Sequence, residues 1–259
     1  MRRLVRSLAA SLRPDPTGPI WPWVAAARSV VPGRPVLAVP SAARVLALAP
    51  HPDDEVLAFG GTLNRLARRG ADVRVVLLTD GEASIGTGLA EDEIGRRRRT
   101  EAAESVRRLG ITSELVALGL PDGDLGSAID DAVGALSDLV AELRPDAVFT
   151  TWLGDGHGDH QTAARIAAGL PLGDDVEVWG GDVWTPLPPN QLVPLDEDAV
   201  AAKQHAIAAH QTAAAAFDTS AVLALDRYRS VQGLAGAGHA EGFLVTDAAT
   251  LRRWIADDQ

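Results

Sequence analysis

Short apolar runs alternate with helix-like patterns along most of this chain of 259 residues. The runs at 44–49 (RVLALA) and 73–79 (VRVVLLT) predict buried strands, and the long pattern at 91–109 predicts a helix that ends at Gly110. The other predicted strands are at 115–118, 147–151, 176–179 and 242–246, and the other predicted helices at 62–69, 129–143, 162–168, 196–216 and 248–255. Because strands and helices alternate, the sequence predicts βαβ units and an α/β fold with a mostly parallel sheet. The Pro-rich stretch 186–194 is predicted to be irregular.

Composition restricts the classes of function. The net charge is -11, which makes the chain a poor partner for phosphate backbones, so we expect no nucleic-acid partner. The absence of cysteine excludes a disulfide framework, a thiolate metal site and a cysteine nucleophile, and it fits a cytoplasmic protein. No run of about 18 apolar residues occurs, so no transmembrane segment is expected.

Residues 1–40 are predicted to be an N-terminal extension of one domain at 41–259. Arg6 and Arg13 interrupt the apolar stretch near the start, which argues against a signal peptide. We expect a short amphipathic helix there, followed by an arm at 19–23 that contains proline and tryptophan. The arm could pack on the domain or on a neighbouring subunit, so a homo-oligomer is left open.

One histidine and three carboxylates follow the first strand directly, in the segment HPDDE at 51–55. Ligands of open α/β sheets bind at the carboxyl ends of strands. Pro52 restricts His51 to an extended conformation, so a turn there can direct His51 and Asp54 to one point while Asp53 points elsewhere. The alternative is that these acids form the first turn of a helix and complement its dipole. That interpretation accounts for a single carboxylate better than for a histidine together with three carboxylates.

A second polar segment, DGHGDH at 155–160, follows the fourth strand of the pattern. By itself it is also compatible with a glycine-rich turn with capping aspartates. Together the two segments supply two histidines and an aspartate as possible metal ligands. Further acids and one more histidine remain for other roles in the site. Two histidines, one carboxylate and an open position form a catalytic arrangement for zinc or ferrous iron. A structural zinc would normally have four protein ligands.

These segments resemble the signatures of the PIG-L deacetylase family, also called LmbE-like. APHPDDE at 49–55 resembles its (A)HPDDE signature, and HGDH at 157–160 resembles its HxDH signature. Further matches, in order over about 44–246, are at 60–62, 79–82, Arg98 with Glu101, and 118–123. The resemblance implies a Rossmann-like fold with helices on both faces of the sheet. It also implies hydrolysis of the N-acetyl group of an amino sugar or glycoconjugate, a small-molecule substrate.

The resemblance further implies roles for individual residues. His51, Asp54 and His160 would hold the metal, Zn²⁺ or alternatively Fe²⁺, which lowers the pKa of a bound water to about 7. Asp53 would be the general base. His157 would face the developing oxyanion, and Asp159 would be the partner of a histidine. In the mechanism that we expect, Asp159 holds the ring of His157 and favours its imidazolium form, which stabilises the oxyanion if His157 is protonated. The implied substrate contacts are Glu82, Arg98, Asp122, Lys203 and His210.

Three positions bear on these implied contacts. Asp155 stands where the thiol-biosynthesis branch of the family has a tyrosine, which favours a glycoside other than the thiol-precursor sugar. Ala213 replaces the glutamine of the late family motif K-x-x-A-x-x-x-H-x-S-Q, so the contacts of that glutamine are in doubt. Lys203 is the only lysine among 24 basic side chains, which hints at a specific role, with a solvated helix face as the alternative.

The sequence has three alternative interpretations of function. A nucleotide-binding Rossmann protein should have G-x-G-x-x-G after the first strand, where this chain has HPDDEVLAFGG. A metal-binding homologue without catalysis should lack the base or the second histidine, but Asp53 and His157 are both present. The motifs do not separate a deacetylase from an amidase or acylase that acts on a larger N-acyl sugar conjugate.

Overall fold

The computed structural model describes residues 35–84, 88–214 and 218–257. Its eight-stranded sheet has the order β1-β7-β8-β6-β5-β2-β3-β4. The strands are β1 (Val36–Leu37), β2 (Arg44–Ala49), β3 (Asp72–Thr79), β4 (Val116–Leu120), β5 (Ala147–Thr151), β6 (Glu177–Gly181), β7 (Gln191–Leu195) and β8 (His239–Asp247). Among the strands of the described residues, only β8 pairs in the antiparallel direction, with β6 and β7. The predicted α/β fold with a mostly parallel sheet is therefore confirmed.

Helices connect most of the strands. They are α1 (Asp54–Leu57), α2 (Gly60–Arg68), α3 (Glu91–Arg108), α4 (Ile129–Leu143), α5 (Gly158–Gly169), α6 (Glu197–Ile207), α7 (Gln211–Ala214), α8 (Ser220–Gly233) and α9 (Ala248–Ala256), with a 3-10 turn at Leu125–Ala128. Within the described part of the chain, none of these helices is long and apolar enough to cross a membrane.

The core lies on both faces of the sheet, because successive side chains of a strand point to opposite faces. Leu46 of β2 belongs to one apolar cluster, with Leu136 of α4 and Ile166 of α5. Its neighbour Ala47 belongs to the other cluster, with Leu63 of α2. Helices therefore cover both faces, as the resemblance implied, and a strand buried on both faces explains the continuous apolar run RVLALA.

Two strands at one side of the sheet, β7 and the edge strand β1, differ from the sequence prediction. The Pro-rich stretch contains most of β7, although proline lacks the N–H group that a sheet requires. Within the described residues, β1 pairs with β7 only at Gln191 and Leu192, so Pro194 has no strand partner on that side and its missing donor breaks no ladder bond. β1 itself lies inside the predicted extension at 1–40, so the sheet begins before residue 41. The amphipathic helix and the arm at 19–23 lie outside the described residues.

The helix predicted at 196–216 is interrupted, and a further helix follows it. α6 ends at Ile207 and α7 begins at Gln211, with His210 between them in a buried contact with Glu55. No apolar periodicity had indicated α8. Its buried residues include Asp226 and Arg229, so the face that it turns inward is polar.

The sheet order locates the crevice in which a ligand can bind. β2 pairs with β3 on one side and with β5 on the other, both in parallel. The chain proceeds from β2 outward to β4 and then returns to β5, so strand order reverses between β2 and β5. Such a topological switch point is where open α/β sheets bind ligands. The segments 51–55 and 155–160 follow these two strands and therefore meet there.

Candidate metal centre

Three side chains from the two segments converge at the switch point. Asp54 Oδ2 lies 3.1 Å from His51 Nδ1 and 3.3 Å from His160 Nε2. One ligand atom from each residue lies within 4.8 Å of the other two. All three residues are buried. The structure thus brings together the residues that the sequence analysis proposed as metal ligands.

The chemistry of this donor set fits a divalent metal ion. Two imidazole nitrogens and a carboxylate oxygen are the ligands of many catalytic zinc and ferrous sites. Neither ring nitrogen of His160 has a hydrogen-bond partner within the described residues, although the side chain is fully buried. A buried polar atom without a partner is unfavourable unless something else satisfies it. A metal ion at this centre would do so for Nε2, the ring nitrogen on the side of Asp54.

Asp155 lies on the other side of His160. Its Oδ1 is 3.4 Å from His160 Nδ1, and both side chains are fully buried. The carboxylate also accepts hydrogen bonds from the backbone N–H groups of His157 and Trp184, at 3.1 Å each. A carboxylate behind a metal-ligating histidine fixes the orientation of its ring. This contact was not predicted from the sequence, in which Asp155 only stands in place of a tyrosine.

Asp53 has a strained backbone between the two ligands of the first segment. Its φ is 130°, in a region that residues other than glycine rarely adopt. Its N–H donates to Glu55 Oε2 at 2.9 Å. Arg98 Nη2 donates to the carbonyl of Pro52 at 2.6 Å and lies 3.3 Å from Asp53 Oδ2. These contacts hold Asp53 in this conformation beside the three converging side chains.

The environment of Asp53 suits a proton acceptor. Burial raises the pKa of its carboxyl to about 6, although the Arg98 guanidinium acts in the opposite direction. The negative charge of Asp54 also raises the pKa. A general base works best when its pKa lies near the pH of the reaction.

Glu55 connects Asp53 with His210, one of the predicted substrate contacts. His210 Nε2 lies 2.8 Å from Glu55 Oε1, and both side chains are buried. Burial lowers the pKa of His210, but the negative charges of Glu55 and Asp53 outweigh it and the net change is upward. His210 therefore lies behind the turn that carries Asp53, and its ring contacts this turn through Glu55.

His157 differs from the expected imidazolium. Burial and the neighbouring rings of His51 and His160 lower the pKa of His157 to about 4, so the ring is neutral at pH 7. Its Nδ1 accepts a hydrogen bond from the backbone N–H of Asp159 at 3.2 Å, which caps α5. The ring proton then lies on Nε2, and His157 can donate a hydrogen bond without carrying a charge.

The carboxylate of Asp159 contacts His51 and not the ring of His157. Asp159 Oδ2 lies 3.1 Å from His51 Nε2 and accepts from the N–H of Gly123 at 2.7 Å. Asp159 thus does contact a histidine, as proposed, but this histidine is His51, a proposed metal ligand. The expectation that Asp159 holds the His157 ring does not match this geometry.

Asp122 and Glu82 form a second acidic pair next to His51. Asp122 Oδ1 lies 3.1 Å from His51 Nε2, and the N–H of Asp122 donates to Glu82 Oε1 at 3.1 Å. Burial lowers the pKa of His51, but its contacts with Asp122, Asp159 and Asp54 raise it well above the usual value. Both predicted substrate residues therefore lie at the rim of the centre.

Lys203 lies away from the converging side chains. It is fully buried, and its Nζ lies 2.8 Å from Asp226 Oδ2 and 2.7 Å from Glu241 Oε1. Glu241 also accepts hydrogen bonds from the N–H groups of Gly61 and Thr62 at the start of α2. The specific environment of this lysine is therefore an internal ion-pair cluster, and the solvated helix face is excluded.

Comparison with known proteins supports this interpretation of the centre. Residues 46–170 match the family model described as PIG-L: GlcNAc-PI de-N-acetylase. The matched segment includes both polar segments, and therefore all three converging side chains and Asp53.

Individual proteins show similarity over parts of the chain. The chain is 37% identical over 167 residues to the 1D-myo-inositol 2-acetamido-2-deoxy-alpha-D-glucopyranoside deacetylase of Mycobacterium leprae, covering 51% of this chain and 54% of that protein. It is 33% identical over 138 residues to the diacetylchitobiose deacetylase of Thermococcus kodakarensis, covering 49% of this chain and 51% of that protein. The chain thus spans about half the length of these curated relatives.

Similarity to a solved structure covers more of the chain. The N,N'-diacetylchitobiose deacetylase from Pyrococcus horikoshii superposes with a TM-score of 0.67 at 23% sequence identity, over 80% of this chain and 85% of that one. At this identity the similarity shows a shared fold. It extends over strands and helices that lie beyond the segment matched by the family model.

Proposed function

Residues 46–170 match the PIG-L family model, and on this premise we propose that the chain is a metal-dependent N-deacetylase of this family. The proposed reaction is hydrolysis of the N-acetyl group of an amino sugar or glycoconjugate. The observation that carries the proposal is the convergence of His51, Asp54 and His160, with Asp53 held beside them.

We propose Zn²⁺ as the ion, with Fe²⁺ as the alternative. Two nitrogen donors and one oxygen donor suit either ion and leave a coordination position open. When bound, the ion supplies Lewis acidity, which lowers the pKa of a water molecule to about 7 and polarises the acyl carbonyl.

Asp53 is the proposed general base and acid. Its carboxylate accepts a proton from the attacking water and later delivers a proton to the nitrogen of the leaving amine. The pKa of about 6 keeps Asp53 mostly ionised at neutral pH, yet basic enough for this transfer. Its strained turn separates this carboxylate from that of Asp54, so the two acids have different roles.

His157 is the proposed donor to the acyl oxygen as negative charge develops there. The neutral ring can use its Nε2–H group for this purpose, because Nδ1 already accepts from Asp159. Loss of one such donor in other enzymes lowers kcat by about two to three orders of magnitude. The acyl oxygen would thus be stabilised by a dipole, without the imidazolium that the sequence analysis expected.

For the sugar, we propose Asp122 and Glu82 as acceptors of hydroxyl hydrogen bonds, because both lie at the rim of the centre. Arg98 is engaged with the turn at Pro52 and Asp53, so we propose that it positions the base. His210 and Lys203 are buried and would act through Glu55 and Glu241. Asp155 is turned inward, and its side chain binds backbone instead of substrate.

The proposal is tested by incubating metal-loaded protein with N-acetylglucosamine glycosides, with the N-acetylglucosaminyl inositol that the mycobacterial relative's name describes, and with N-hexanoyl analogues. Acetate and free amine are quantified by mass spectrometry.

We expect acetate release, and we expect Asp53→Asn to retain the metal and lose most of kcat, whereas Asp138→Asn on the exposed side of α4 retains activity. Faster release of the hexanoyl group would identify an acylase. If no N-acyl sugar is hydrolysed, the amidohydrolase assignment is wrong.

The ligand assignment has its own measurement, elemental analysis of the purified variants. His51→Ala and His160→Ala should each lose the ion, which we expect at about one per chain. His205→Ala, on the exposed side of α6, is the matched control and should retain it. If both ligand variants bind the full amount of metal, the ion lies elsewhere.

A further inference from the structure

A cavity of about 200 Å³ lies at the carboxyl end of β6, next to the metal centre. Its apolar lining includes Leu57, Ala58, Val183, Trp184, Val222 and Leu225. Trp184 is 41% exposed, so a large apolar side chain borders the cavity on the solvent side. Concave sites with a mainly apolar lining are typical of small-molecule binding.

The walls of the cavity are joined directly to residues of the metal centre. The N–H of Leu57 donates to the carbonyl of Asp53 at 2.9 Å, and that of Ala58 donates to the carbonyl of Asp54 at 3.0 Å. The cavity therefore begins about one helical turn, roughly 5.4 Å along the axis, from the proposed base and ligand. Elsewhere in the lining, the N–H of Trp184 donates to Asp155, the carboxylate behind His160.

The acids of the lining are largely compensated by buried cations. Asp182 forms an ion pair with Arg229, and Asp226 shares the ammonium group of Lys203 with Glu241. The third acid of the described lining, Asp218, is exposed. Each of the two buried carboxylates of the lining already contacts a cation, so a further cation would gain little there. An uncharged, apolar occupant is favoured.

We infer that this cavity binds an apolar group of the substrate, in addition to the acetyl group at the metal centre. This inference rests on the proposed deacetylase function. An apolar cavity of about 150 Å³ is large enough for benzene, so a cavity of this size accepts a phenyl ring or a short alkyl chain. Such a group belongs either to the aglycone of an N-acetylated glycoside or to a longer N-acyl chain. Both sources have the same chemistry at the cavity.

The test measures binding in Asp53→Asn protein loaded with metal, so that turnover does not interfere. The probes are the methyl and phenyl glycosides of N-acetylglucosamine and the methyl glycoside of N-hexanoylglucosamine, titrated by calorimetry. We expect one of the two apolar probes to bind about tenfold more tightly than the N-acetyl methyl glycoside, a difference of about 1.4 kcal/mol. A gain for the phenyl glycoside identifies the aglycone as the source, and a gain for the N-hexanoyl probe identifies the acyl chain.

Two variants of α8 test whether this gain in affinity arises in the cavity. Val222→Trp fills the cavity and should reduce the tenfold preference to less than twofold. Val231→Trp is the matched control, because Val231 lies on the same helix and is 60% exposed, and it should keep the preference. If Val222→Trp does not fold, as judged by thermal melting, Trp184→Ala opens the wall instead and should also weaken the preference.

Equal binding of all three probes, or a preference that survives in the cavity variants, would overturn the inference. Because these titrations require no hydrolysis, they are independent of the acetate assay. Acetate release without a binding preference rejects the cavity site alone, whereas a preference without hydrolysis by the parent protein rejects the deacetylase.

Discussion

Arg98 binds both the backbone and the side chain at the strained turn of Asp53. Its Nη2 lies 2.6 Å from the carbonyl oxygen of Pro52 and 3.3 Å from Asp53 Oδ2. Nη1 of the same guanidinium donates to the carbonyl of Gly81 at 3.1 Å and to Ser84 Oγ at 2.6 Å. One side chain of α3 thus joins the loop after β3 to the turn that carries the proposed base.

The pH dependence of the reaction should report the pKa of Asp53. Below about pH 6 the carboxyl is protonated and cannot accept a proton, so kcat/KM should rise with pH through this value. Arg98→Gln removes the positive charge that lowers this pKa, so the rise should move to higher pH, by about one unit or more. Arg97→Gln, on the exposed face of α3, should leave the profile unchanged. An identical rise in the Arg98 variant would remove Asp53 as the titrating group.

Asp155 should control metal affinity through His160. Asp155→Asn keeps the size of the side chain but removes the charge 3.4 Å from His160 Nδ1. Loss of such a partner of a metal-ligating histidine typically lowers metal affinity by about 10–100-fold. Competition with a chelator of known affinity measures the change, with Asp138→Asn as the control. Unaltered metal affinity would show that the ring of His160 is oriented by its other neighbours.

Glu55 should determine the position of Asp53 and leave the metal in place. Glu55→Ala removes the acceptor of the Asp53 N–H, so the strained φ of 130° loses a contact that maintains it. We expect kcat to fall by about tenfold or more, corresponding to roughly 1.4 kcal/mol, with about one metal ion retained per chain.

Glu55→Gln is the matched variant, because its amide oxygen can still accept this hydrogen bond. It should recover part of the lost kcat, and His210→Ala should resemble Glu55→Ala in its loss of kcat with little change in KM. Full activity in Glu55→Ala would mean that Arg98 alone maintains the turn.

Lys203 should contribute stability instead of substrate binding. Lys203→Met leaves the buried carboxylates of Asp226 and Glu241 without their cation, and such a loss costs about 3–5 kcal/mol. Chemical denaturation measures this difference. Arg68→Met, which breaks an exposed ion pair with Asp196, should cost less than about 1 kcal/mol.

The instability of the Lys203 variant should increase with pH. Burial raises the pKa of Asp226 to about 7, although Lys203 acts against this shift. Without the lysine the folded-state pKa rises further above the unfolded value, so the folded state binds more protons than the unfolded state through neutral pH. Stability therefore falls as pH rises over this range. A loss that is equal at about pH 5 and pH 8 would contradict this account.

The strand and helix pattern could be predicted from local sequence for most of the parallel sheet. β2, α4 and β5 were predicted at their observed bounds, because their burial produces apolar runs or periods that local sequence retains. α8 and β7 were not predicted. The inward residues of α8 are charged, and they become internal only because Lys203 and Asp182 from other elements provide their partners.

The sequence by itself determined the donor set of the site. Histidines and carboxylates at two strand ends can meet in a parallel sheet, since the carboxyl ends of its strands share one edge. Tertiary structure decided what each side chain does there: that His157 is neutral, that Asp159 contacts His51, and that Arg98 holds Asp53. These outcomes depend on burial and on partners as far as 108 residues away in the chain. Motif spacing specifies which groups are present, whereas pKa and orientation arise from the three-dimensional field of charges and hydrogen bonds around them.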